Sequence, residues 1–170
     1  LDGCSRGPDP TSDKLVELVS KTKNIGFAFD LDSDRVILVM NGEKKSSDIT
    51  LGLGVVKAIK LGIKKFVLSL DSSLAIEKFI IKNGGKVWRS KVGEANVIQM
   101  MIENDAEAGG EGSSGGFVLR KFNMCRDGLL TSGLIASMID DESIQKDIEF
   151  FESFSQIREK ISIESKLHER

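Results

Sequence analysis

Histidine is almost missing from this chain of 170 residues: the only one, His168, stands close to its end. Mechanisms built on a histidine base, a His–Asp relay or a histidine-rich metal site are thereby disfavoured. Carboxylate, lysine, arginine and hydroxyl chemistry remains. Cysteine is scarce as well. Cys4 and Cys125 are too few and too far apart for a disulfide framework or a zinc site, which fits a reducing, cytoplasmic setting. No apolar run approaches the roughly 20 residues of a membrane span, and no signal-peptide pattern opens the sequence. Long basic blocks are missing too: Lys and Arg alternate with acids, and the formal charge is −2, which argues against a nucleic-acid partner. The first residue is Leu rather than Met, so a fragment of a longer protein is expected.

What is present is an ordinary globular mixture, 40% apolar and 29% charged, long enough for one core or for one domain and part of another. Gly7-Pro8-Asp9-Pro10 reads as a turn, with Thr11 or Ser12 capping a helix whose apolar face is Leu15, Val16, Leu18 and Val19. Apolar runs over 25–29 and 36–40 predict two strands around an acidic loop, closed by an Asn41-Gly42 turn. From Ser47 a helical pattern runs to Gly62. Then follow a strand over 66–70, a helix over 74–82 stopped by Gly84-Gly85, a strand over 86–89, a helix over 94–103 and a strand over 116–119. A helix capped by Asp127 and a charged helix over 144–159 complete the pattern. Strands alternating with helices at this spacing predict an α/β fold with a mixed, largely parallel sheet covered by helices. A domain boundary is expected near 41–47.

Asp30-Leu31-Asp32-Ser33-Asp34-Arg35 spaces three carboxylates two apart. In an extended segment such residues share a face and can converge on one cation. Three carboxylates suit Mg²⁺, whose octahedral shell is completed by water and a phosphate oxygen, and Arg35 can hold that phosphate. A solvated acidic turn is the alternative. An EF-hand is excluded, because Arg35 and Asn41 stand where Gly and Glu are needed. The run 29–32 also resembles the first motif of haloacid-dehalogenase-type phosphatases, in which Asp30 would be the nucleophile, although Asp34 replaces the usual Thr or Val.

The stretch Gly109-Gly110-Glu111-Gly112-Ser113-Ser114-Gly115-Gly116 joins backbone freedom to one carboxylate and two hydroxyls, a set suited to vicinal sugar hydroxyls. A phosphate-cradling loop fits less well, since no Lys-Ser or Lys-Thr follows. Arg126-Asp127-Gly128 opens a helix, with Arg126 at its mouth as a phosphate or acid–base candidate. Lys91-Val92-Gly93-Glu94 lies between a strand and a helix, as a polar contact or as a plain turn. Trp88 is read as core, and Ser72-Ser73 as helix caps.

In order, 8–10, 30–35, 91–93, 110–113 and 126–128 resemble the α-D-phosphohexomutase superfamily, and the Gly-Gly-Glu-Gly and Cys-Arg-Asp-Gly runs are closest to archaeal-type members. The resemblance spans nearly the whole chain. It implies 1–45 as the end of a second domain, 46–140 as a complete third domain and 141–170 as a helical connection towards a fourth. It also implies roles: Asp30, Asp32 and Asp34 as Mg²⁺ ligands, Arg35 beside a phosphoserine, and Glu111 and Ser113 reading sugar hydroxyls. Lys91 would place the hexose phosphate, and Arg126 would take part in proton transfer. The family's phosphoserine loop and fourth-domain phosphate loop have no counterpart in this sequence, so the remaining domains of the parent enzyme are the implied partners. A non-catalytic sugar-phosphate-binding fragment is a further alternative. Three departures stand out. Leu31 replaces a usual Gly, Ser113-Ser114 double a single small polar residue, and the histidine some members carry after this loop is replaced by Gly115 or Gly116.

Overall fold

A computed structural model describes residues 13–22 and 25–157. The turn at 7–10, its capping residues Thr11 and Ser12, Cys4 and His168 lie outside them. Helix α1 (Asp13–Thr22) buries Val19 and half-buries Leu15 and Val16, while Leu18 is 59% exposed and leaves the apolar face assigned to it. Strands β1 (Ile25–Phe29) and β2 (Val36–Met40) pair antiparallel, with Phe29 opposite Val36. The acidic residues 30–35 are therefore the loop of a hairpin. The Asn41-Gly42 turn forms as expected, both residues at positive φ, and leads into a short third strand, β3 (Glu43–Lys44), which the sequence did not suggest.

Helix α2 (Ser47–Lys60) is apolar nearly all round, and Leu51, Leu53 and Val55 are fully buried. Such a helix must lie inside rather than on a surface. It packs against β2 and against the larger sheet, whose order is β5-β4-β6-β7-β8. The strands are β4 (Lys65–Ser69), β5 (Lys86–Ser90), β6 (Ala108–Gly110), β7 (Phe117–Leu119) and β8 (Asn123–Asp127). The sheet is mixed: β5, β4 and β6 run parallel, and β7 pairs antiparallel with both β6 and β8. Consecutive side chains of β4 point to opposite faces. Phe66 and Leu68 join α2, α3 (Leu74–Lys82), α5 (Gly128–Ala136) and α6 (Ile144–Glu152) in the main core. Val67 turns to the other face, where α4 (Glu94–Glu103) supplies Val97 and Met101, with Trp88 packed alongside.

Ser73 caps α3 and Asp127 caps α5 through side-chain oxygens, as expected. The last helix ends at Glu152, short of the expected 159, and it belongs to the core. Ile144, Ile148 and Phe151 are buried, and the Phe151 ring lies against Gly52 on α2. No helix among the described residues is long and apolar enough to cross a membrane.

Candidate active site

Strand direction gathers the functional residues. β5, β6 and β8 run the same way, so Lys91, Glu111 and Arg126, at or just beyond their carboxyl ends, all lie at one edge of the sheet. That edge is where ligands of α/β sheets bind. Gly109 and Gly110 are paired in the strand β6 rather than free in a loop, so the loop proper begins at Glu111.

The acidic hairpin loop is fastened to this edge by backbone. Val36 donates its N–H to the Ser114 carbonyl at 3.2 Å, and Gly128 donates to the Ser33 carbonyl at 3.0 Å. Two glycines make that approach possible. A Cβ on Gly128 would stand 2.7 Å from the Ser33 carbonyl oxygen, and one on Gly116 would collide with the Asp34 carbonyl oxygen. The loop itself is not extended. It bends, with Ser33 at φ 61° and its N–H on the Asp30 carbonyl at 3.3 Å. Convergence of the carboxylates thus comes from a turn, not from the two-residue repeat of a strand.

Converge they do: one ligand oxygen from each of Asp30, Asp32 and Asp34 lies within 4.8 Å of the others. Ligands around an octahedral Mg²⁺ are about 3 Å apart when adjacent and about 4.2 Å when opposite, so the triad can share one ion once its carboxylates draw inward. Three carboxylate donors without histidine or thiolate suit a hard cation. Asp30 is the buried member. It accepts the Arg35 N–H at 3.2 Å, and the Arg35 Nε lies 3.5 Å from its other oxygen. Burial raises its pKa above the ordinary carboxylate value, the charges of Asp34 and Asp32 push the same way, and the Arg35 N–H opposes them. Asp32 is exposed and Asp34 half-buried.

Arg126 ties the loops together. Its Nη2 pairs with Asp34 Oδ2 at 2.6 Å and its Nη1 with Glu111 Oε2 at 2.7 Å. Its own backbone N–H is held by Glu94 Oε1 at 2.8 Å, and Glu94 Oε2 stands 3.3 Å from Nε. Burial works against its charge, but Asp34, Glu111 and Glu94 outweigh it and hold the guanidinium above its ordinary value, so it stays a cation. Glu111 is 3% exposed, and its Oε1 accepts the Gly93 N–H at 2.6 Å. Both of its oxygens are therefore engaged within the protein. Of the paired serines, Ser114 is buried and donates to the Glu111 carbonyl, whereas Ser113 is exposed. Lys91 is exposed and makes no ion pair among the described residues. Cys125 is the one free thiol among them; burial first, then Glu94 and Asp127, push its titration up, away from nucleophilic use.

Six of the residues expected at the site are thus in one contact network: Asp30, Asp32, Asp34, Arg35, Glu111 and Arg126. Ser113 and Lys91 lie in loops attached to it, and among the described residues their side chains make no hydrogen bond or ion pair to it. Sequence reading missed the partnership of Glu94 with Arg126. The available signal was an acid at the first position of a helix, where the dipole favours it. Ser47 was missed too: from the start of α2 its hydroxyl donates to the Gly112 carbonyl at 2.6 Å, anchoring the glycine loop from below.

Residues 47–155 match the family described as phosphoglucomutase/phosphomannomutase, alpha/beta/alpha domain III. The chain is 34% identical over 137 residues to a probable phosphoglucosamine mutase of Pyrococcus horikoshii, covering 78% of this chain and 30% of that protein. It is 36% identical over 133 residues to the phosphoglucosamine mutase of Campylobacter curvus, covering 72% and 29%. A solved structure of a putative phosphomannomutase from Thermus thermophilus superposes with a TM-score of 0.76 at 20% identity, over 86% of this chain and 36% of that one, which is likeness of fold. The chain spans about a third of the length of the curated relatives it matches. Matched over most of its own length, with the aspartate loop seated against the glycine loop, the chain belongs to the phosphoglucomutase/phosphomannomutase family.

Proposed function

We propose that this chain carries the metal loop and sugar-reading loop of a Mg²⁺-dependent phosphohexomutase, an isomerase that moves phosphate between the 1- and 6-positions of a hexose. The observation that carries this reading is the junction of the two loops: the Asp30–Asp32–Asp34 cluster is bonded through Ser33 and Val36 to Gly128 and Ser114 at the carboxyl edge of the sheet. Asp30, Asp32 and Asp34 would hold Mg²⁺, which neutralises charge developing on a transferring phosphoryl group. Arg35, paired with Asp30 and half-exposed, would contact a phosphate beside the triad. Ser113 and Lys91, both exposed, would contact the hexose phosphate. Glu111 would read a sugar hydroxyl after giving up one of its two partners.

We assign residues up to Lys45, which include the β1-β2-β3 sheet, to the end of a preceding domain. The third domain runs from Ser46 at least to Asp140, and because Phe151 packs on α2 we draw its far edge beyond α6. The remaining domains of the parent enzyme would supply the phosphoserine and the grip on the non-reacting phosphate, in a cytoplasmic setting. The phosphatase alternative is disfavoured by burial: the Asp30 side chain is 4% exposed and held by Arg35, a poor disposition for an attacking nucleophile.

The test is a graft. Residues 25–155, from the metal hairpin through the matched domain, replace their counterpart in the Pyrococcus horikoshii relative, and 6-phosphate formation is followed from the 1-phosphates of glucose, mannose and glucosamine with Mg²⁺. Turnover of at least one of them is expected, while the isolated chain converts none. A folded graft that is inert on all three sinks the reading, and phosphate release without isomerisation restores the phosphatase.

A further inference from the structure

We infer that Arg126, clamped by Glu94, couples the aspartate triad to Glu111, so that a divalent cation at the triad loosens the hold on the sugar-reading carboxylate. This rests on the function proposed above and adds a residue pair, Glu94 and Arg126, with a role in linking its two loops. Arg126 and the cation draw on the same carboxylate. Asp34 is one of the three converging acids, and its Oδ2 is also the partner of Arg126 Nη2 at 2.6 Å. The opposite arm of the same guanidinium holds Glu111 Oε2 at 2.7 Å. A planar fork cannot yield one partner without turning relative to the other.

The fork also has an unmade bond. Nε is buried and lacks a hydrogen bond, although Glu94 Oε2 lies only 3.3 Å away, because the geometry is out of line. Buried donors left unmade are costly, so a second arrangement in which Nε–H closes on Glu94 has a built-in gain. Glu94 cannot drift while this happens, since its Oε1 is fixed by the Arg126 backbone N–H at 2.8 Å. Cation binding pulls Asp34 from the fork, Arg126 rotates towards Glu94, and Glu111 loses its Nη1 partner while keeping Gly93. One Glu111 oxygen is then available to a sugar hydroxyl. By linkage the reverse holds as well: a hydroxyl that engages Glu111 favours cation binding.

The experiment is a Mg²⁺ titration of this chain by heteronuclear NMR, which reads affinity and local environment together. The Gly93 amide, hydrogen-bonded to Glu111 Oε1, reports on the sugar-reading carboxylate. In the wild-type chain Mg²⁺ is expected to shift the amides of 31–35 and that of Gly93 with one dissociation constant. In Arg126→Gln, Mg²⁺ is expected to bind roughly tenfold tighter, the scale of one charged hydrogen bond removed from competition. The Gly93 response is lost in that variant. Arg126→Lys keeps the charge without the fork and is expected to lose the Gly93 response too, which separates coupling from a general field effect. Equal affinity in wild type and Arg126→Gln, or a Gly93 shift that persists in both variants, overturns the inference. Unfolding of the variants is read from the same spectra, and in that event Glu94→Gln, expected to abolish the Gly93 response while the 31–35 shifts persist, decides in their place. If Mg²⁺ binds no better to wild type than to Asp32→Asn, the metal assignment itself fails, an outcome distinct from failure of the coupling.

Discussion

Replacing Glu111 by Gln separates a carboxylate that is built into the fold from one that waits for a ligand. In the wild-type chain its Oε2 faces Arg126 Nη1 at 2.7 Å and its Oε1 accepts the Gly93 N–H at 2.6 Å, with the side chain 4% exposed. Glutamine has the same shape and keeps the oxygen for Gly93. Its amide nitrogen, however, then meets the guanidinium, donor against donor. Breaking a buried pair from one side costs about 3–5 kcal/mol. Arg126 is 17% exposed and keeps Asp34 and Glu94, so the loss is smaller, on the order of 2–3 kcal/mol. Against a total stability of roughly 5–15 kcal/mol the protein still folds. A chain of this length should melt about 5–10 °C lower. Urea unfolding followed by far-UV circular dichroism measures the difference in this chain without substrate. Ser113→Ala, exposed in the same loop, is the control and is expected within about 0.5 kcal/mol of wild type. A Glu111→Gln protein as stable as that control would refute the claim that Glu111 is held by Gly93 and Arg126 in the free chain.

Two further outcomes test the fold around the site. Phe151→Ala removes a 5%-exposed ring that packs on Phe79 at 5.4 Å between centroids and lies against Gly52, so a loss of about 3–5 kcal/mol is expected in urea unfolding; a loss under about 1 kcal/mol would detach α6 from the core. Asp141 titrates well below an ordinary carboxylate because Lys60 and Ser143 bond it. A depressed folded value stabilises above the unfolded pKa and is lost as pH falls through the folded one, so Lys60→Met should move the acid-unfolding midpoint to higher pH, and an unmoved midpoint counts against the pair.

The fold was largely legible because its elements obey local rules. Asp127 and Ser73 cap helices where a short acceptor precedes an apolar run, the helix over 74–82 stops before Gly84-Gly85, and the helix over 94–103 lies where its apolar period puts it. What escaped was local ambiguity resolved by distant partners. Gly109 and Gly110 have poor strand propensity and read as loop, yet Val67 and Leu68 on one side and Val118 and Phe117 on the other pair with them. β8 hides in Asn123–Asp127, a polar run without alternation that pairs only through β7 and an irregular register. Leu18 looked like core by spacing, but a ten-residue helix presents one narrow stripe and Val19 took it.

Legibility of the site divides along the same line. Asp30, Asp32, Asp34 and Arg35 are neighbours in sequence, so their chemistry could be read together, even though a bend rather than an extended strand brings them together. Arg126 could be read only as one charged residue before a helix, because its partners Asp34, Glu94 and Glu111 come from three other segments. Its meaning changes with them. A lone arginine at a helix mouth is a candidate to shuttle a proton; one held by three carboxylates is kept charged and cannot readily release one. What such a group does well is distribute charge between fixed acids. That is why the place to look for its function is the exchange of partners among Asp34, Glu94 and Glu111, and why a variant that keeps the charge but not the fork, Arg126→Lys, separates the two roles: proton transfer asks for a group that titrates, whereas coupling asks for two arms that move as one.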